Sequence, residues 1–88
     1  MSTEDRELRK LLAELHTRLS HATTLDPKAR TMLVTVANDI EGALERSGER
    51  PPSAESKLEA LAVKFEADHP ALAEAVRDVV DALGKAGI

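Results

Sequence analysis

Apolar residues recur along this chain at spacings of three and four, the signature of helices that each turn one face inward. Leu8, Leu11, Leu12, Leu15 and Leu19 form the first stripe. Ser2 or Thr3 offers a hydroxyl N-cap ahead of it, and Glu4 and Asp5 suit the positive end of a helix dipole. The stripe ends in His21-Ala22-Thr23-Thr24, a weakly helical linker. A second helix has the clearest start signal, because Asp26 is a good N-cap and Pro27 sits where a missing N–H costs nothing. Its inward face is Ala29, Leu33, Val36, Ala37, Ile40 and Leu44, with Met32 and Ala43 at the edge, and it should stop before Gly48. Residues 47–53 carry a Gly and a Pro pair and read as the one real linker. They divide a helix pair over 3–46 from another over 54–84.

The third helix is expected to start at Ser53 or Ser56, where Ser56-Lys57-Leu58-Glu59 fits the capping-box pattern. It should end near Asp68, because Pro70 biases His69 away from helical geometry. Pro70 then opens a fourth helix, with Leu72, Val76, Val79 and Leu83 inward, Ala75 and Val80 widening the stripe, and Gly84 as C-cap. The third helix differs from the others. At about 100° per residue, Leu58, Leu61, Ala62 and Phe65 share one face, while Ala60, Val63 and Ala67 share the opposite one. A helix apolar front and back must touch two things. Either the helix is central and buried by the first two helices, or its second face is a seam between copies of the chain. On the second reading the interface comprises Ala60, Val63, Ala67, Ala73 and Val80, with Val34 a possible extension.

The expected architecture is therefore all-α. Four amphipathic helices in two pairs form a small bundle, a single domain over residues 1–88, completed by dimerisation on the seam reading. Leu12, Leu15, Leu33, Ile40, Leu61, Phe65, Val76 and Val79 should form its core. Composition sharpens this expectation. Fourteen of the 88 residues are Ala and Phe65 is the sole aromatic, so the core must be built from aliphatic side chains. A chain this short buries only about 60–65% of its unfolded surface, which makes help from association valuable. No apolar run approaches the ~18 residues of a membrane span. The absence of Cys and a charged N-terminus without an apolar run point to the cytoplasm. The net charge of −4 is concentrated late, with seven acidic against four basic residues over 51–88, which disfavours a phosphate backbone as partner.

Candidate chemistry is sparse. Glu66-x-x-His69 matches the ligand pair of di-iron carboxylate bundles, but such a site needs a second copy of the motif and two further carboxylates. The competing reading makes Asp68-His69-Pro70 a corner in which Asp68 or His69 caps the fourth helix. His16 lies beside the first stripe and His21 opposite it, with no nucleophile placed by any motif for either to activate. Arg6, Arg9, Lys10 and Arg18 give the first helix some positive charge, interrupted by Glu7 and Glu14 and lacking any aromatic stacking platform.

The run Leu61-Ala62-Val63-Lys64-Phe65-Glu66-Ala67-Asp68-His69-Pro70-Ala71-Leu72 carries a further signal, as do Val79-Val80-Asp81-Ala82-Leu83, the closing Gly87-Ile88 and the early Leu11-Leu12-Ala13-Glu14-Leu15-His16. Together they resemble a small bacterial family of short helical proteins, domain-of-unknown-function family 4404, whose members share a Phe-Glu-x-x-His-Pro-x-Leu segment. The resemblance implies an all-helical fold and no assigned activity. Some relatives bear a chromosome-partitioning label, but the phosphate-binding G-x-x-x-x-G-K is missing here, since Gly42 and Gly48 are wrongly spaced and followed by Glu49. The function expected is a non-catalytic cytoplasmic interaction module that forms a homodimer or binds another protein through its C-terminal helix pair. It would have no cofactor, no nucleic-acid partner and no membrane partner. The alternatives are a metal-binding protein using Glu66 and His69, and a nucleic-acid accessory protein using the first helix.

Overall fold

In a computed structural model that describes residues 3–46 and 54–86, the chain forms four α-helices: α1 (Thr3–His21), α2 (Pro27–Glu45), α3 (Ala54–Phe65) and α4 (Pro70–Ala86). No strand occurs among the described residues. The expected linker 47–53 and the Ser2, Ser53 and Gly87-Ile88 signals lie outside them.

Local chemistry sets the helix boundaries. Asp26 caps α2 as its sequence predicts, its carboxylate accepting from the Ala29 N–H at 3.2 Å with Pro27 in the first turn. Arg30 then reaches back from α2 to the end of α1, donating to the Leu19 carbonyl at 3.3 Å and to the Ala22 carbonyl. Each of these carbonyls also accepts a backbone bond, from the Ala22 N–H at 3.2 Å and the Leu25 N–H at 3.4 Å, so the guanidinium adds a second, charged donor and complements the negative end of the helix dipole. It also fixes the corner between the two helices. The third helix begins at Ala54, the expected first residue of the second helix pair, which places Ser56 inside the first turn rather than at a capping box. Two other boundaries depart from expectation. The third helix ends at Phe65, three residues before Asp68, in a turn over 66–68. The His69 N–H closes that turn on the Phe65 carbonyl at 2.7 Å, and the His69 carbonyl accepts the first α4 bond from Ala73 at 3.0 Å. The fourth helix runs through Gly84 to Ala86, so Gly84 is not its cap.

Neighbouring helices surround one interior in the order α1–α2–α3–α4 and back to α1, and no Cα atoms of the diagonal pairs lie within 8 Å of each other. The closest packing is made by α4, against α1 on one side and α3 on the other. Ala73, Ala75 and Ala82, all buried, line this helix between its larger side chains. Residues this small let helix axes approach closely. All eight expected core residues are buried, and Leu8, Leu58 and Leu83 join them. No charged or polar side chain is buried among the described residues, so burial alone holds the fold. The inner face of α3, namely Leu58, Leu61, Ala62 and Phe65, is in this core. Its second face is not. Ala60 and Ala67 are exposed and Val63 is 66% exposed, which rules out the reading in which α1 and α2 bury them.

Phe65 is 2% exposed at the α3–α4 corner. Phe65→Ala should cost ~3–5 kcal/mol through lost burial and a residual cavity, read as a shift in the urea midpoint. A methyl group added at Gly84 would meet nothing within 4 Å. Gly84→Ala should therefore raise stability by about 0.5–1 kcal/mol through helix propensity alone, measurable in the same melts.

Candidate functional site

The outer side of the C-terminal helix pair is the one place where sequence and structure leave a large aliphatic residue uncovered at the centre of an apolar face. Helical periodicity puts Ser56, Ala60 and Val63 in line along α3, with Ala67 in the turn that follows, and all four are exposed. Because α4 runs back along α3, Val80 comes to face Val63 across a shallow groove of ≈ 370 Å³, lined also by Glu59, Arg77 and Asp81. Arg77 in the groove wall is paired with Glu66 at 2.9 Å, linking α4 to the α3–α4 turn. Of the five expected interface residues, Ala60, Val63 and Ala67 lie on this outer face and Val80 is half-buried beside it. Ala73 is the correction. It is 1% exposed inside the bundle, on the α4 face that packs against neighbouring helices, and presents nothing to a partner. Val34 is also half-buried, packed against the core.

Elsewhere the structure brings together residues that sequence spacing did not connect. Arg18, His21 and His69 line a cleft of ≈ 310 Å³ between the end of α1 and the start of α4, with Ala22, Pro70, Ala71 and Leu72 as its apolar walls. No spacing signal could have joined His21 to His69, because tertiary packing alone makes them neighbours. Neither a carboxylate nor a nucleophile lines this cleft, and Arg18 is held to Glu14 at 3.0 Å. His16 stands 3.6 Å from Glu41, linking α1 to α2 at the surface.

The Glu66–His69 pair is placed on the turn rather than on a continuous helix, and the Glu66 carboxylate is engaged by Arg77. Among the described residues no group of three or more His, Cys, Asp or Glu side chains is arranged to hold a metal ion. Along α1, Arg6 and Lys10 are exposed and Arg9 is half-buried. No helix among the described residues is long and apolar enough to cross a membrane.

The chain belongs to the family described as Domain of unknown function (DUF4404), which matches residues 8–88. No curated protein and no solved structure matches it. Membership assigns no chemistry.

If the outer α3 face is free within the monomer, Val63→Asp should leave folding stability within ~0.5 kcal/mol of the parent. Urea melts at high dilution measure this directly, and a loss above ~2 kcal/mol would mean that the fold itself covers Val63.

Proposed function

We propose that this protein is a non-catalytic, cytoplasmic protein–protein interaction module that self-associates through the outer face of its C-terminal helix pair. The exposure of Val63 carries the reading. Apart from Met32, it is the one large aliphatic side chain left substantially exposed among the described residues. Met32 projects beside Pro27, Lys28 and Thr31 on α2, whereas Val63 lies between two alanines and opposite a second valine. An isolated exposed apolar residue needs no explanation, but a row of them facing a groove favours a partner. Small residues on either side of Val63 would let a second helix come close, and a two-fold seam needs only one kind of surface to cover both copies. The acidic groove rim and the engaged Glu66 carboxylate both favour a protein partner over a phosphate backbone or a metal.

Sedimentation velocity across nanomolar to high-micromolar concentration tests this reading. The expected outcome is conversion from a 9.5 kDa species to one of twice that mass, abolished by Val63→Asp. A single monomer at every concentration would contradict it.

A further inference from the structure

The charges beside the exposed stripe of α3 are sorted by side. Taking Ala60 as an a position of a heptad and Ser56 and Val63 as d, the e positions are Lys57 and Lys64 and the g position within α3 is Glu59; Glu66 and Ala67, the next g and a by sequence, lie in the turn just past the helix. All eight side chains are exposed. One edge of the stripe is thus basic and the other acidic. The acidic edge is the one that borders the groove, where Asp81 of α4 adds a second carboxylate beside Glu59.

This sorting decides the orientation of a two-fold pair. When two copies pack stripe to stripe with α3 parallel, the g side of each lies against the e side of the other, so acidic edge meets basic edge. When they pack antiparallel, g lies against g and e against e, so carboxylates meet carboxylates and ammoniums meet ammoniums in every register. We propose that the second copy docks with its α3 parallel to the first and inserts Lys64 into the groove between Glu59 and Asp81, the same contact repeating across the two-fold axis. This inference rests on the self-association proposed above.

The individual pairings agree. In a parallel pair a g residue faces the e position five residues further along its partner, which matches Glu59 with Lys64 of the second copy. Glu66 by the same rule would face Ala71, which has no charge to offer, and Glu66 is instead engaged within its own chain by Arg77 at 2.9 Å. Only the carboxylates without that internal ion pair, Glu59 and Asp81, are left to receive a cation in the groove. Lys64 has a competing partner in Asp26 at 3.7 Å, but both side chains are more than half exposed and such a pair contributes little. Asp26 keeps its capping bond to Ala29 if the lysine leaves.

Charge reversal followed by sedimentation equilibrium tests the geometry. E59K and K64E should each weaken self-association about tenfold, because each turns two symmetric attractions into repulsions. The E59K/K64E double variant should recover part of it, because the swapped pair attracts again while a carboxylate at position 64 still meets Asp81, and an equimolar mixture of the two single variants should form a heterodimer in preference to either homodimer. Thermal melts of dilute samples confirm that the variants fold, since all the altered side chains are exposed. Tighter association of E59K would indicate an antiparallel seam that sets Glu59 against Glu66 of the second copy, where a lysine at position 59 turns carboxylate repulsion into attraction, and would overturn the proposal. Association unchanged by either reversal would place the seam elsewhere or set Glu59 against its own symmetry mate in an antiparallel pair, overturning this geometry while self-association stands. A parent chain that stays monomeric would remove both.

Discussion

A helix can give one side to a four-helix interior, and α3 is apolar on two. Leu58, Leu61, Ala62 and Phe65 fill the core side, and the remaining apolar surface, with Val63 at 66% exposure, faces away from the ring of helices. Burying a valine contributes roughly 1.5–3 kcal/mol relative to leaving it in water. A chain of 88 residues with one aromatic side chain has little stability to forgo. That tension between a thin interior and a two-sided helix organises the rest of the molecule.

The geometry of α4 follows from the same economy. With no large rings besides Phe65, the interior is filled by leucines and valines that interlock with alanines, and α4 is where alanine lets both neighbours approach. The close packing of α3 on α4 has a second consequence, since it leaves only a shallow groove between them and puts Val80 across from Val63. The ion pair between Arg77 and Glu66 ties the α3–α4 turn to the following helix. Its contribution to stability is small because both groups are exposed. Its effect on the surface is larger: it removes one carboxylate from the face and leaves Glu59 and Asp81 to define the charge.

Much of the fold was legible along the chain because its signals are local and redundant. Asp26-Pro27 marks a helix start by two independent constraints, a side-chain acceptor and a fixed backbone angle, and the structure uses both. The leucine stripes place the core because burial follows the 3.6-residue period. Where single residues were asked to set a boundary, tertiary packing overrode them. Ser56 could cap a helix, yet the helix starts two residues earlier with Ala54 buried. Gly84 could end one, yet no interaction forces a left-handed turn there and the helix continues. The site divides the same way. Ala60, Val63 and Ala67 were identifiable from periodicity. The burial of Ala73 and the meeting of His21 with His69 depend on which sides of α1 and α4 face each other, and no intrahelical pattern encodes that.

The central claim is that the outer face of α3 is covered by another copy of the same chain, and methyl contacts between copies test it most directly. In an equimolar mixture of isotope-labelled and unlabelled protein at high concentration, filtered nuclear Overhauser spectra report only contacts that cross from one molecule to another. The account predicts cross-copy signals from the Val63 methyls to those of Val63, Ala60 or Ala67, with shifts of these groups moving on dilution. Val63 methyls that show no cross-copy contact and keep constant shifts from micromolar to millimolar concentration would contradict it.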